Sequence, residues 1–505
     1  MASAEEPVCE FPPLTKLSSN QNKPSNTTNM SSIKEQNATH SRGVSQALLR
    51  TLKVAGVKFI RYHFVDASNK GKVKSVPISY LERHGKSLSD YEIQIPSVVV
   101  AGLLPENDFP APNSGLGARG HCMFQPDLST VTVLPYAPDS AIVLGNLMDS
   151  KTGDASDLCA RSALQIFVQK AAREHNIGFS VGAEIEFVLR NAKTNEPVDL
   201  STYATSGILN DQRDFISALH DQLDQQEIPF EKVHAESAHG QLEVVLEYSK
   251  DPVLTADRVL LTRETITALA HQFGLKALFL PKFNNMQAGN GCHLHLSMYN
   301  TETGKNLFPA RPKADTFSQP ESTEFQLEEA NVAEDISATG QSFVEGILQH
   351  LPGLMALTLS TVNSMRRVGP GCWTGSSVNW SYDDKESPLR VVSSESFPCD
   401  HVELKLNDHQ ANLYLALTAV LSSGLKGISE NLRLRPNRYY QDDKLNSPLP
   451  ESLEESLNAL EKDDFLRHAL PSSFLQGFMA IGRAEVENGS SMSLEEEVAA
   501  ALSNA

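Results

Sequence analysis

The residues of this chain best suited to chemistry come in pairs two positions apart, on stretches that read as strands. They are Glu184 with Glu186, Gln241 with Glu243, His293 with His295, and Glu403 with Lys405. Residues i and i+2 of a strand share a face. Each segment therefore aims two polar groups one way and an apolar residue the other. Five carboxylates, counting Glu236, and a histidine converging on one surface repel one another unless cations lie between them. Oxygen-rich donor sets with few nitrogens suit Mg2+ or Mn2+. The pattern reads as a metal and phosphate enzyme site spread over a sheet.

Taken singly, each motif has a plainer reading. A lone Glu-x-Glu is normally a solvated strand face. The apolar residues on both sides of Glu184 and Glu186 argue instead for a buried strand, where a carboxylate pair needs a cation or a proton. The stretch from Glu236 to Glu243 reads as a polar loop running into a strand, with His234 and His239 as ordinary loop histidines. A His-x-His pair is more often structural than ligating. Gly289 and Gly291 before it let backbone approach a ligand closely, but no Gly-Lys-Ser/Thr follows, so this is not a Walker loop. Many carboxylates and no cysteine cluster favour Mg2+ or Mn2+ over zinc. Arg366, Arg367 and Arg390 supply forks that match carboxylate and phosphate oxygens.

These groups need a large scaffold, and 505 residues provide one with room for two or more domains. The net charge of −19 argues against nucleic acid or an anionic membrane as a bulk partner. No apolar run approaches the ~20 residues that span a bilayer. The N-terminus lacks a basic stretch followed by an apolar one, so it does not read as a secretory signal. The 6 cysteines are scattered, with no Cys-x-x-Cys, and read as free thiols in a reducing compartment. The expected location is cytoplasmic.

The expected fold class is α+β. Residues 1–41 are rich in Ser, Asn, Thr, Lys and Pro and read as a disordered tail. Residues 42–150 read as a small sheet-rich domain, with strands expected over Val57–Asp66, from Lys72, over Thr130–Leu134 and over Ala141–Leu147. Residues 151–505 read as a second domain that carries the paired polar residues. Helices are expected over Ala160–His175, Asp211–Gln226, Asp257–Phe273, Ser342–Leu359 and Asn412–Glu430, with Gly274 as a stop. A strand is expected over Gly178–Leu189. Residues 309–335 read as an exposed insertion.

In order along the chain, these motifs resemble the type I glutamine synthetase superfamily, from about Val44 to the C-terminus. The segments that carry the resemblance are Ala-Glu-Ile-Glu-Phe, His-Ala-Glu-Ser with Gly-Gln-Leu-Glu, Gly-Asn-Gly-Cys-His-Leu-His-Leu-Ser, Asn-Ser-Met-Arg-Arg, and Glu-Leu-Lys before Ala-Asn-Leu-Tyr-Leu-Ala. The resemblance implies an N-terminal β-grasp domain and a catalytic domain around a curved antiparallel sheet, assembled as stacked rings, with a dodecamer favoured. It implies ATP and Mg2+ or Mn2+ as cofactors, and L-glutamate with an amine or ammonium as substrates. Glu186, Glu236 and Glu243 correspond to ligands of one metal, and Glu184, His293 and Glu403 to ligands of a second. Gly289 and Arg367 correspond to glutamate-binding positions, and Arg390 faces the transferred phosphoryl group. Lys405 takes a substrate-binding position, while Tyr248, Ser297, Lys385 and His295 take nucleotide-side positions. The implied chemistry is phosphorylation of the glutamate γ-carboxylate, then attack by an amine, with metals and arginines spreading negative charge.

Departures from the ammonia-using members bear on the acceptor. They carry a flap glutamate shortly after the Pro-Gly turn, where this chain has Trp373. The Asp-Gly-Ser-Ser segment of their ammonium pocket is also absent. An indole in place of an anion removes the attraction for a small cation and offers an apolar or cation–π wall. The expected acceptor is thus an organic amine, giving a γ-glutamyl amide. Lys385 and Lys405 stand where arginine is usual, keeping the charge but not the fork. The alternatives are a glutamine synthetase that uses ammonia and a catalytically silent, ring-forming structural or regulatory protein.

Overall fold

The computed structural model describes residues 43–310, 333–369, 371–393, 399–440, 447–489 and 491–504. The expected tail and most of the expected insertion lie outside the described residues. The chain folds into two sheets with helices packed on them, an α+β arrangement.

The first sheet contains β1 (Phe59–Val65), β2 (Gly71–Pro77), β3 (Ile93–Pro96), β4 (His121–Pro126), β5 (Thr132–Val133) and β6 (Ser140–Asp149). Its order is β2-β1-β6-β4-β3, with β5 also on β6. The pair β1–β6 is parallel and the rest are antiparallel. The strand expected over Thr130–Leu134 is shortened at its start. The Asp127 carboxylate accepts the Ser129 N–H and caps a tight turn at Leu128–Thr130, leaving only two residues for β5.

The second sheet holds the paired polar residues. Its strands are β7 (Ile177–Asn191), β8 (Phe230–Ala235), β9 (Gln241–Ser249), β10 (Leu275–Leu278), β11 (Leu294–Asn300), β12 (Trp380–Tyr382), β13 (Leu389–Val392) and β14 (His401–Leu404). The order is β12-β13-β14-β11-β7-β9-β8, with β10 paired to the far end of β7. Among these pairs, only β12–β13 is parallel. Irregularities in register at Val181/Ala183 and at Phe230/Lys232 curl the sheet.

Alternation along β7 divides the molecule. Ala183, Ile185 and Phe187 point into the core, while Glu184 and Glu186 occupy the opposite face. Behind the sheet lie the helices Ala160–His175, Pro252–Gln272, Ala338–Thr358 and Leu413–Ser429. Phe179 of β7 stacks on Phe167 at 5.7 Å and sits 6.3 Å from Phe343. Burying aromatic rings of this size contributes about 2 kcal/mol each. The helix expected from Asp257 begins five residues earlier, because Asp251 caps Val253 and Leu254 and Pro252 suits the first helical position. The helix expected over Asp211–Gln226 runs over Arg213–Gln225, and a separate short helix, Gly207–Asp211, precedes it.

Polar clamps hold the two sheets in register. Arg161 donates two bonds to Asp257, at 3.0 and 2.8 Å, and one to Asp127 at 3.0 Å. Asn412 donates to the Asp66 carbonyl and Asn69 to the His409 carbonyl. Cys122, Cys159, Cys292, Cys372 and Cys399 are free thiols. Among the described residues, no helix is long and apolar enough to cross a membrane.

Candidate active site

Strand register brings the polar pairs into two rows. Arg390, Glu403, His295 and Gly182 stand opposite one another across β13, β14, β11 and β7. His234, Glu243 and Glu186 do the same across β8, β9 and β7. Glu184 lies on β7 between Gly182 and Glu186, and all three share a face. His293 enters just before β11, and its carbonyl accepts the Glu184 N–H at 3.1 Å.

The first row carries its own cations. Arg390 Nε donates to Glu403 in a very short contact, and Lys405 Nζ lies 3.5 Å from the same carboxylate. His293 Nδ1 is 3.0 Å from Glu184, 3.3 Å from Glu403 and 3.7 Å from Glu186. His295 bridges Glu184 at 3.0 Å and His401 at 2.8 Å. Burial opposes ionisation of Glu184 and Glu403, but hydrogen bonds and charges from the two histidines and Lys405 outweigh it and hold both carboxyls below the usual range. Burial and Lys405 work against the His293 imidazolium; the Glu184 and Glu403 carboxylates prevail and raise it to about 9.

The second row is short of cations. His234 Nε2 sits 3.3 Å from Glu236 and 3.8 Å from Glu243. Burial opposes ionisation of the half-buried Glu236, yet bonds from His234 and Ser237 hold its carboxyl low. Glu243 is pushed up to about 10, first by burial and then by Glu184, Glu186 and Glu236. Glu186 is also raised by burial, while Gln241 Nε2 and the Gly291 N–H hold its carboxylate at 3.0 and 2.8 Å.

Two donor sets of the right chemistry for a divalent cation follow. One ligand atom from each of Glu184, His295 and Glu403 lies within 4.8 Å of the others, and the same holds for His234, Glu236 and Glu243. Glu403 Oε1 is buried without a hydrogen bond among the described residues. A glutamate pushed up to about 10 beside three other carboxyls is what a missing counter-charge produces, whereas Glu403 Oε1 already meets His293 at 3.3 Å and Lys405 at 3.5 Å. The residues fit Mg2+ or Mn2+, which prefer carboxylate oxygens.

His234 corrects the sequence reading. It is a strand residue facing Glu243, not a loop histidine, and its two-residue spacing from Glu236 was the available signal. His295, expected on the nucleotide side, also belongs to a carboxylate cluster. Lys385, expected at the nucleotide, does not line the cleft described next. Its ammonium lies 5.4 Å from the Tyr203 ring, and Tyr203 meets His234 edge-on.

Beside the first row opens a cleft of about 470 Å3, lined among others by Tyr248, Ser297, Asn306, Arg390 and His401. The Tyr248 ring is 64% exposed and offers a stacking face. Ser297 Oγ donates to Asp400 O at 3.0 Å and Asn306 Oδ1 at 3.1 Å.

On the other side, Arg367 is buried. It bonds the Asn407 carbonyl at 3.2 Å and faces Asp408 at 3.8 Å and His293 at 3.4 Å. Gly289 and Gly291 exist for this packing. A Cβ on Gly289 would lie 2.2 Å from Pro281 O and 2.8 Å from Arg367 Cγ, and one on Gly291 would lie 2.5 Å from His293. Arg367 thereby sits against His293, at the edge of the carboxylate cluster. Trp373, eight residues before Ser381, is 52% exposed with φ of +61°.

Residues 157–499 match the family model described as glutamine synthetase, catalytic domain. A type-1 glutamine synthetase 1 of Dictyostelium discoideum is 28% identical over 468 residues, covering 87% of this chain and 89% of that one. A gamma-glutamylpolyamine synthetase, GlnA3, of Streptomyces coelicolor is 29% identical over 484 residues, covering 90% and 95%. The fold of GmaS, solved with ADP, superposes with a TM-score of 0.70 at 24% identity, over 88% of this chain and 97% of the other. Two carboxylate rows on a curled sheet, in a chain matched along most of its length by that family model, make this protein a glutamine synthetase family ligase.

Proposed function

We propose that the protein joins L-glutamate to an organic amine at the expense of ATP, through γ-glutamyl phosphate. The observation that carries the amine is Trp373, an exposed indole at the flap position where the ammonia-using members carry a glutamate. The likeness to a gamma-glutamylpolyamine synthetase supports the same reading.

Each group then has a task. Tyr248 stacks the adenine in the cleft, and Ser297 and His295 border the nucleotide. Glu184, His293 and Glu403 hold one metal beside the phosphates, with His295 close by. Glu186, Glu236 and Glu243 hold the other, with His234 joining them. Divalent cations held there would supply the positive charge that the phosphate oxygens and the carboxylate rows need. Arg367 grips the glutamate α-carboxylate, with Gly289 backbone alongside. Arg390 faces the transferred phosphoryl group, released from Glu403 as charge on that group grows. Lys405 supplies a further positive charge at the same carboxylate. Subunits arranged in stacked rings, a dodecamer by family pattern, would complete the site.

The second reading is a glutamine synthetase that uses ammonia, a reading the likeness to a type-1 glutamine synthetase supports. The test is phosphate release from Mg-ATP and L-glutamate with ammonium, ethanolamine, methylamine and polyamines supplied singly. Release that depends on an organic amine, with the matching γ-glutamyl amide seen by mass, supports the proposal. Turnover with ammonium alone would replace it by the second reading. Silence with every acceptor, from folded oligomer, would favour a structural role.

A further inference from the structure

Trp373 is a bulky residue in the left-handed region, a conformation that persists only where surroundings enforce it. The surroundings are two loops stitched together. The Trp373 N–H donates to Glu386 Oε1 at 3.2 Å. Next in sequence, Thr374 is buried and its Oγ donates to the Arg367 carbonyl at 2.8 Å. Gly375 follows with φ of +80°, and a Cβ there would lie 2.7 Å from the Glu386 carbonyl. The flap thus ties Arg367 to Glu386 within three residues. Glu386 stands four residues before Arg390, and the carbonyl of Pro388 between them accepts the Lys405 N–H at 3.0 Å.

Glu386 is held from behind. Its N–H bonds Asp384 Oδ1 at 2.9 Å, and Arg438 donates to its carbonyl. The neighbouring Asp384 is consumed by Arg438 at 2.9 Å and by the Tyr439 hydroxyl at 3.0 Å. Among the described residues, the Glu386 carboxylate has no ion-pair partner. A half-buried carboxylate whose one described partner is the Trp373 backbone N–H shares this side with the exposed residues Trp373, Tyr203 and Tyr439. Carboxylate and indole together are the chemistry that recognises an organic ammonium.

We infer that Glu386 and Trp373 form the acceptor subsite, with Glu386 receiving the ammonium group and Trp373 the alkyl chain. This rests on the amine-ligase reading. The Glu386 carboxylate accepts one proton from R–NH3+, leaving R–NH2. The nitrogen lone pair forms the C–N bond at the γ-carbonyl carbon, the C–O bond to phosphate breaks, and the remaining proton leaves with phosphate. The task given to a flap glutamate elsewhere in the family is here moved to a second loop.

The test compares Glu386→Gln with wild type using hydroxylamine, which is neutral at pH 7, and methylamine, 1,4-diaminobutane and ammonium, which are protonated. Glu386→Gln should lose about 100-fold in kcat/KM with the protonated acceptors. It should keep γ-glutamyl hydroxamate formation within about threefold, since that acceptor needs no proton removed beforehand. The variant's rate with methylamine should climb about tenfold per pH unit, following free base, and Glu386→Asp should restore part of the loss. Equal losses with hydroxylamine and the amines, or no loss with any, would overturn the assignment. If wild type uses ammonium but no organic amine, the amine reading fails, and the Glu386 assignment is judged by the same ratio with ammonium. If wild type makes no hydroxamate, both fall.

Discussion

The two carboxylate rows lie on the same face of the same sheet, yet they solve their electrostatics differently. The Glu184/Glu403 end is balanced internally by Arg390, Lys405 and the His293 imidazolium, and its carboxyls stay ionised. The Glu236/Glu243 end has His234 as its one basic side chain within 4 Å among the described residues, and despite the charge of Lys232 Glu243 is pushed up to about 10. Protein cations that can let go when phosphate arrives suit the phosphoryl end. A charge deficit that only an added cation relieves suits a permanent metal position. The difference teaches that donor sets alike in composition can have different jobs.

Glu243→Gln breaks the deficit. Turnover in the phosphate-release assay should fall by about a thousandfold or more, because a metal-holding charge is lost. Near-normal rates would sink the metal assignment. The same variant should raise the melting temperature of metal-free protein by a few degrees, since a buried repulsion is removed. Arg390→Met tests the balanced end and should do the reverse. It leaves Glu403 buried with less compensation, costing about 3 kcal/mol by denaturant unfolding. No loss there would mean that Glu403 does not depend on Arg390.

Proton linkage sharpens the contrast. Glu243 keeps its proton to higher pH folded than unfolded, so its stabilising contribution is present in acid and fades as pH rises toward 10. Magnesium must displace that proton. Its affinity by calorimetry should therefore rise from pH 6.5 to 8.5 by up to about tenfold per unit. A flat profile would show that the site binds without deprotonating Glu243. Away from both rows, Trp373→Glu should shift preference from bulky amines toward ammonium by about tenfold in kcat/KM. An unchanged ratio would argue against the indole as a selector.

Much of this was legible because strand periodicity is simple. The two-residue spacing correctly put Glu184 with Glu186 on one face of a buried strand, and apolar flanks announced the burial. The same rule applied to His234 and Glu236 would have found His234, but the surrounding polar residues and Gly240 read as loop. Lys385 follows β12 on a turn, where no periodicity fixes direction, and it does not line the described cleft. Glu386 carried no signal at all. Its role depends on a backbone N–H from a segment thirteen residues earlier, and main-chain donors leave no trace in side-chain types. The early start of the helix at Pro252 was readable from Asp251 and Pro252, which form an ordinary cap.

The row Arg390–Glu403–His295–Gly182 also sets the order in which the molecule can be made. Glu184 and Glu403 are about 220 positions apart yet both meet His293, so the row is complete only late in the chain. During synthesis, β7 and β9 emerge and can pair while β14 is still unmade. Until the segment around β11 emerges, Glu184, Glu186 and Glu243 face one another without His293 or His295. Such an intermediate is electrostatically unfavourable. Divalent cations present during refolding should therefore speed the return of native protein, by lending the half-built sheet the charge its last strands have yet to deliver.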